Sequence, residues 1–274
     1  MKITIHESGE KKWPWVAAFA ITALAFAALG YLYYRSEVDY LTKQAHDQLH
    51  AVALLKANQI HHCRRERIAG LRVLVGSPFF SRGLQELVNN PDSPQLRSDV
   101  TERLDLIRRS YGYQDAIVLN RKMQIVLSLK QDPHVLDPHA RRTIEDALEN
   151  NRIAFGDFYR CSICLGVHID VAAPISGSSG DPFSVIVFRI DPSQDLYPLI
   201  QSWPGASATA ETLLVRKEGE HVLFLNELRH RIGTALKLAI PMTETDVAAV
   251  QGLRDRRHRF IEAKDYRGMA VLAD

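Results

Sequence analysis

The sequence predicts an α+β protein in which an N-terminal transmembrane helix continues into a long helix and two tandem antiparallel-sheet modules follow. Three observations carry this prediction. Residues 13–34 are apolar and uncharged, residues 38–74 carry apolar side chains at three- and four-residue steps, and β-rich runs follow Gly112. The 274 residues are 46% hydrophobic and 24% charged with a formal net charge of +2, a globular composition that gives no indication of a nucleic-acid partner.

The apolar stretch at residues 13–34 has the length and the flanks of a membrane-spanning helix. About 20 residues cross a hydrocarbon core, and aromatic residues prefer the two interfaces. Here the aromatic residues at the ends are Trp13, Trp15, Tyr31, Tyr33 and Tyr34. The stretch exceeds the apolar core of a signal peptide and has no A-x-A site just before Arg35, so an uncleaved anchor is favoured over a cleaved signal peptide. Lysines in residues 1–12 favour a cytoplasmic N-terminus, which places residues after 35 outside the cytoplasm.

Residues 36–76 are predicted to form one long helix that continues from the membrane. Its first turns present an apolar seam that can pack against a second copy of the helix in parallel. The seam consists of Val38, Leu41, Ala45, Leu49 and Val52. The sequence therefore predicts a homodimer, and a structural protein that dimerises through this helix is one alternative function.

A first α+β module is predicted over residues 77–200. Serine–proline pairs at 77–78 and 93–94 each combine an N-cap with proline at the first helical position, which predicts helices at 79–89 and 94–111. A further helix, opened by Asp137-Pro138, separates the second predicted strand from the third. The predicted strands cover residues 116–119, 125–129, 154–159, 167–175 and 183–190.

A second module is predicted over residues 201–274 because the first hairpin recurs there. Residues 117–119 with 126–129 match residues 213–215 with 222–225 at equal spacing. Coincidence between two hairpins is the alternative. The sequence then predicts a short helix and two strands, near residues 244–253, 258–263 and 268–272.

Four segments of the second half carry a family resemblance. Residues 196–204 (LYPLIQSWP), 209–216 (TAETLLVR) and 223–230 (LFLNELRH) resemble the linker and first hairpin of the double Cache sensor domain, whose modules are PAS-like. Residues 265–273 (DYRGMAVLA) are similar to a strand entry near the end of its membrane-proximal module. The resemblance covers residues 37–274 and is most specific in the second module.

The resemblance implies the ligand-sensing region of a bacterial signal-transduction receptor. Such domains supply the input of sensor histidine kinases in two-component systems and of diguanylate cyclases. We therefore expect a periplasmic domain held in the bacterial inner (cytoplasmic) membrane, with residues 77–200 as the membrane-distal module and residues 201–274 as the proximal one. The expected partners are a small-molecule ligand, the membrane and a second copy of the chain.

Two departures from the family pattern limit these expectations. Amino-acid-binding members carry R-x-W-Y near the crossover helix, whereas residues 132–139 read DPHVLDPH, so amino-acid recognition is not expected. The family also continues into a second transmembrane helix and an output domain, and neither follows Asp274. A strand ending at Leu272 is expected to lack a partner strand. The chain is interpreted as the sensory portion of a longer receptor, with an incomplete proximal module.

Four residues are the candidates for ligand contact: Tyr159, Arg160, His168 and Asp170. In the strand at 167–175, His168 and Asp170 share one face because side chains alternate along a strand. Tyr159 and Arg160, at the end of the preceding strand, supply further donors of the kind small-ligand sites use. The alternative is that His168 and Asp170 lie on a solvated face of an antiparallel sheet.

Two of the three cysteines, Cys161 and Cys164, form a C-x-x-C pair beside these candidates. The pair could close a small disulfide loop in an oxidising compartment, remain as ordinary thiols, or join His168 as three ligands of a metal. Because a structural zinc site usually has four ligands, we predict no metal and no cofactor. Leu165 stands where C-x-x-C-H haem attachment needs a histidine.

The common catalytic signatures are absent from the sequence. It contains no G-x-S-x-G, no H-E-x-x-H and no G-x-x-x-x-G-K-[ST] motif. We therefore predict no catalytic residue in this chain, although a kinase or cyclase output is expected in a full-length parent. A membrane-anchored periplasmic enzyme with an unrecognised set of residues is the remaining alternative.

Overall fold

A computed structural model describes residues 13–130, 136–162, 164–177, 180–205, 207–255 and 260–274. In these ranges the helices are α1 (Trp13–Val75), α2 (Pro78–Asn89), α3 (Pro94–Ser110), α4 (Pro138–Glu149), α5 (Leu196–Gln201) and α6 (Ala248–Arg254). The strands are β1 (Asp115–Asn120), β2 (Ile125–Ser128), β3 (Ala154–Phe155), β4 (Tyr159–Arg160), β5 (Val167–Ser176), β6 (Pro182–Ile190), β7 (Val215–Glu218), β8 (His221–Phe224), β9 (Ala239–Pro241), β10 (Ile261–Lys264) and β11 (Ala270–Ala273).

The chain divides into two compact units, residues 1–51 and 52–274. The described part of the first unit belongs to α1, where large apolar side chains such as Trp13, Phe19 and Leu32 are exposed. Among the described residues, α1 is the one helix long and apolar enough to cross a membrane, judged by length and composition alone.

In the second unit, a six-stranded antiparallel sheet is the centre of what we call the six-stranded module, residues 77–200. The strand order is β2-β1-β6-β5-β3, and β4 also pairs with β5. The longest pairing joins β5 to β6, from Ile169 opposite Ile190 to Ser176 opposite Pro182. Because β5 and β6 are central, their side chains are buried on both faces of the sheet.

Alternate side chains of this sheet pack into two separate cores. One core takes Val118, Val171 and Phe188 from the strands and packs them against residues of α1, α2 and α3. The other takes their neighbours Ile117, Ala172 and Val187 and packs them against Ile144 and Ala147 of α4. The module therefore has three layers, and we call the second of these sheet surfaces the α4 face.

A smaller, three-stranded sheet has the order β7-β8-β9, and we call residues 201–274, which contain it, the three-stranded module. Its core contains Val222 and Phe224 of β8, together with Val247 and Val250 at the start of α6. Strands β10 and β11 form a separate antiparallel pair.

The predicted α+β class, the long N-terminal helix and the antiparallel sheets are confirmed, and two details of the prediction are wrong. The predicted strand at 154–159 consists of two short strands, β3 and β4. The strand ending near Leu272 has a partner, since β11 pairs with β10. The two hairpins that match in sequence spacing differ in register, because Leu119 pairs with Ile125 whereas the equivalent Val215 pairs with Phe224.

Three of the sequence predictions fall partly or wholly outside the described residues. These are the cytoplasmic N-terminus at residues 1–12, residues 132–135 of the segment that lacks R-x-W-Y and residues 258–259 of a predicted strand.

Candidate functional site

Strand pairing places polar side chains from four adjacent strands in one cluster on the α4 face. Tyr159 of β4 lies opposite His168 of β5, and Asp170 of β5 lies opposite Arg189 of β6. Arg189 in turn lies opposite Asp115 of β1. We call Asp115, Tyr159, His168, Asp170 and Arg189 the polar cluster.

Asp170 is the centre of the polar cluster. Its carboxylate accepts hydrogen bonds from Nε and Nη2 of Arg189 at 3.0 and 3.3 Å and from the Tyr159 hydroxyl at 2.6 Å. The Asp170 side chain is 0% exposed and that of Arg189 is 15% exposed. Burial alone would lower the pKa of Arg189, but the Asp170 carboxylate outweighs burial and raises it, so this is a charged pair inside the fold.

The buried charges of this pair are not explained by stability alone. Desolvation of two ions offsets most of their attraction, so a well-packed apolar pair would serve a sheet equally well. Buried titratable groups with specific charge partners are concentrated at functional sites. The polar cluster is therefore the candidate site of the six-stranded module.

Aromatic contacts hold Tyr159 against the start of α4. Its ring stacks on His139, with centroids 5.6 Å apart and planes 6° from parallel, and it lies 5.8 Å from the ring of His168. Burial and then the neighbouring Asp170 raise the pKa of Tyr159 strongly. Burial and then the Arg189 charge lower the pKa of His168. Both effects favour the neutral forms. Tyr159 is a phenol that donates a hydrogen bond, and His168 is an uncharged imidazole.

Arg160, the fourth candidate from the sequence, is not part of the cluster. It lies opposite Val167, which packs in a core with Tyr197, Ile200 and Ala235 rather than on the α4 face. Its guanidinium donates to the carbonyl oxygens of Leu165 at 2.6 Å and of Ala235 at 2.7 Å. Arg160 therefore joins the two modules.

Asp137 connects α4 to the cysteine loop beside the cluster. As the N-cap of α4 it accepts from the His139 backbone N–H at 2.9 Å, and its other oxygen accepts from the Ser162 N–H and hydroxyl at 3.1 Å each. Burial raises the pKa of Asp137, but these hydrogen bonds outweigh it and lower the pKa to about 2. The carboxylate therefore fixes the loop to the helix as an anion.

The C-x-x-C pair approaches the cluster from this loop. Cys164 Sγ lies 3.0 Å from His168 Nε2, and the Cys164 backbone N–H donates to Cys161 Sγ at 3.4 Å. Both cysteines are thiols in this structure, while a disulfide between them remains a prediction. Burial raises the pKa of Cys164, which favours its protonated form.

A cavity of about 550 Å³ lies elsewhere, at the start of the three-stranded module, and is lined in part by Trp203, Glu227 and Arg229. Its charged groups serve the local backbone. Glu227 accepts from the N–H groups of Gly233 and Thr234, and Arg229 donates to the carbonyl oxygens of Ser207 and Ala210. The polar cluster is the stronger candidate because the buried charges of Asp170 and Arg189 bond to each other and to the Tyr159 hydroxyl.

Sequence reasoning missed Arg189 and Asp115, and it identified Asp137 as the start of α4 but not its contact with Ser162. Arg189 is the one charged residue of β6, and this was the signal that could have identified it. The position of Asp115 depends on strand pairing and the Asp137–Ser162 contact on loop geometry, for which no local signal exists.

Solved structures of chemoreceptor domains share this fold. The ligand-binding domain of the Pseudomonas fluorescens chemoreceptor CtaA in complex with L-serine matches 82% of this chain and 86% of its own, with a TM-score of 0.54 and 14% identity. The same domain with L-alanine matches 83% and 87%, with a TM-score of 0.51 and 14% identity. These likenesses confirm the predicted double Cache fold.

A third structure, the ligand-binding domain of the Campylobacter jejuni chemoreceptor Tlp3 in complex with L-norvaline, has 18% identity and a TM-score of 0.47. The match covers 60% of this chain. It spans 65% of the length of the Tlp3 domain. No family model and no curated relative matches the sequence.

Proposed function

We propose that this chain is the ligand-sensing region of a membrane-anchored bacterial signal-transduction receptor, and that its six-stranded module binds a small polar molecule at the polar cluster. The observation that carries the proposal is the buried Asp170–Arg189 pair, which lies among further polar side chains on the sheet face that also holds the apolar core beneath α4. The fold supports it, because the CtaA domain is the ligand-binding domain of a chemoreceptor. The apolar part of α1 supports membrane anchoring.

The ligand chemistry follows from the groups in the cluster. The Asp170 carboxylate attracts a cationic or hydrogen-bond-donating group of a ligand. When Asp170 also binds such a group, the Arg189 guanidinium can attract an anionic group of the same ligand. A small molecule that carries both groups fits best. Amino acids are the first compounds to test, because CtaA was solved with L-serine and L-alanine. The absence of R-x-W-Y favours other organic acids and amines.

The full chain in detergent tests this proposal by thermal unfolding against amino acids, organic acids and amines. A true ligand at 100 times its dissociation constant adds about 2.7 kcal/mol to the free energy of unfolding. We expect Asp170→Asn to abolish that gain. Asp246→Asn, at an exposed carboxylate in the other module, should retain it. A stabilising compound that acts equally on Asp170→Asn would contradict the assignment of the site.

We further propose that α1 forms the parallel homodimer through which the receptor signals. Val38 and Leu41 of the predicted seam are 41% and 53% exposed, so both are available to a second chain. Val52 is buried within its own chain at 6% exposure, so it cannot belong to the seam.

Sedimentation of the full chain in detergent tests the dimer. Leu41→Glu places a charge in the apolar seam. We expect it to weaken the dimer at least about tenfold, which corresponds to a loss of about 1.4 kcal/mol in the free energy of association. Leu54→Glu, at a residue 54% exposed but off the seam, is the matched control. Equal effects of both substitutions would exclude this seam as the interface.

A further inference from the structure

The loop that carries Cys161 and Cys164 brings three metal-ligating side chains together beside the polar cluster. One donor atom from each of Cys161, Cys164 and His168 lies within 4.8 Å of the other two. In a tetrahedral site with bonds of about 2.3 Å to sulfur and about 2.0 Å to nitrogen, donor atoms are about 3.5–3.8 Å apart. The three donors therefore need only small shifts to reach one ion.

The backbone holds the two cysteines in this arrangement. The Cys161 N–H donates to the Gly166 carbonyl at 2.9 Å, and the Leu165 N–H donates to the Cys161 carbonyl at 3.0 Å. Leu165 has a φ of 57°, a left-handed conformation that is unfavourable for leucine. This turn lies between Cys164 and the strand that carries His168.

Gly166 leaves the space that the three side chains need. A Cβ atom at this position would lie 3.1 Å from both Cε1 and Nε2 of His168 and 3.7 Å from Sγ of Cys164. Any larger residue would crowd the imidazole at its contact with the thiol.

His168 supplies the third donor from a buried position. It is 3% exposed, and its Nε2, which lies 3.0 Å from Cys164 Sγ, is the ring nitrogen that faces the thiols. A metal-ligating histidine binds the ion through one ring nitrogen and keeps the other for a hydrogen bond, so Nε2 is the ligand atom and Nδ1 is not. Cys164, by contrast, is exposed, so an ion can reach the three donors from solvent.

We propose that Cys161, Cys164 and His168 bind a thiophilic d¹⁰ metal ion, of which Zn²⁺ is the probe. Two thiolates and an imidazole select ions of the zinc and copper(I) class over Mg²⁺ or Ca²⁺, which prefer oxygen ligands. Three protein ligands leave a fourth position open to water or an exogenous ligand. This site goes beyond the proposed sensing function and does not depend on it, although His168 belongs to both sites.

The test measures Zn²⁺ binding to the full chain, purified with reductant in detergent and without a histidine tag. Competition with a chromophoric chelator gives the affinity, and elemental analysis gives the stoichiometry. We expect one Zn²⁺ per chain. Co²⁺ in its place should give a thiolate-to-cobalt charge-transfer band, which a merely structural role of the cysteines would not produce.

Variants separate this site from other metal binding. Loss of a ligand in Cys164→Ser or His168→Gln should weaken Zn²⁺ binding by more than about 100-fold, because changes outside the ligand set already cost about 10–100-fold. Gly166→Ala should weaken Zn²⁺ binding by only about 10–100-fold, because the added methyl group crowds the imidazole without removing a ligand. Cys63→Ser, at the remaining cysteine, is the matched control and should leave binding unchanged.

Circular dichroism and thermal unfolding of the metal-free variants establish that each one is folded. Cys164→Ser is the decisive variant because its thiol is exposed. Zn²⁺ affinity that is unchanged in folded Cys164→Ser, or lost in Cys63→Ser, would overturn the proposal. So would the absence of a cobalt charge-transfer band in the reduced wild-type chain.

Discussion

The Asp170–Arg189 pair should behave as a buried ion pair when one partner is removed. Asp170→Ala leaves the Arg189 guanidinium charged at a side chain only 15% exposed. Breaking such a pair costs about 3–5 kcal/mol. We therefore expect chemical denaturation to show a loss of this size in the free energy of unfolding.

A double variant distinguishes charge from packing at this position. Asp170→Leu combined with Arg189→Met removes both charges and should recover a large part of the loss, because apolar replacement of a buried pair is often neutral. Asp146→Ala, which breaks the more exposed pair with Arg152, is the control and should cost much less. A double variant as unstable as Asp170→Ala would show that shape, not charge, is what Asp170 contributes.

Asp137 should make the stability of the fold depend on acid pH. Its pKa is lowered to about 2 in the folded chain, against 3.8 as the ordinary value. The stability from its ionised form is therefore complete above pH 4 and is lost as the pH falls from about 4 to about 2. Asp137→Asn removes this titration, so its unfolding free energy should fall less steeply than that of the wild type over this interval.

Denaturant titrations at several pH values between 5 and 2 provide the measurement. Asn still accepts one hydrogen bond at the N-cap but cannot replace the carboxylate toward Ser162. The variant should accordingly be less stable at pH 5 and approach the wild type near pH 2. Parallel pH curves for the two chains would exclude Asp137 as the titrating group.

At the scale of elements, the sequence predicted what depends on local pattern. Proline after serine placed the starts of α2 and α3 to within a residue, and alternation placed His168 and Asp170 on one face. Pairing between distant strands was not predictable. Arg189 joins Asp170 through the β5–β6 register, and Val215 pairs with Phe224 because a two-residue turn closes the hairpin. The contact of Arg160 with the Ala235 carbonyl was not predictable either, because it depends on packing between β4 and a distant part of the chain.

The β7–β8 hairpin depends on its turn. Gly219 and Glu220 connect the pair Glu218 and His221, and Gly219 has a φ of 57°. This conformation costs other residues about 1–2 kcal/mol, so Gly219→Ala should lower the free energy of unfolding by about that amount. No heavy atom lies within 4 Å of the added Cβ, so a clash cannot explain the loss.

Gly252→Ala is the control for this substitution. Gly252 is exposed within α6 and also has open space around its Cβ position. Alanine is favoured over glycine inside a helix by about 0.5–1 kcal/mol, so this variant should be more stable than the wild type. Changes of the same sign in both glycine variants would contradict the backbone explanation.

At the scale of the second unit, residues 157–160 connect the candidate site to the three-stranded module. Tyr159 contributes its hydroxyl to the polar cluster, while Arg160 donates to the Ala235 carbonyl. Arg216 of β7 pairs with Asp157 at 2.8 Å and donates to the Phe158 carbonyl at 3.0 Å. A shift of Tyr159 on ligand binding would therefore reach contacts that the other module makes with the same short segment.

Arg160 should control the local stability of the loop around Ala235. Each hydrogen bond from a charged donor contributes about 1.5–3 kcal/mol, so Arg160→Ala makes opening of this loop easier by at least that amount. Because 1.4 kcal/mol is a factor of ten, hydrogen exchange of the Leu236 amide, which donates to the Phe224 carbonyl, should accelerate at least about tenfold.

Amides of the β5–β6 pairing should exchange at the wild-type rate. Arg152→Ala, at an exposed arginine of the six-stranded module, should change neither region. Uniform acceleration across both modules in Arg160→Ala would mean that Arg160 supports the whole fold and not the junction between the modules.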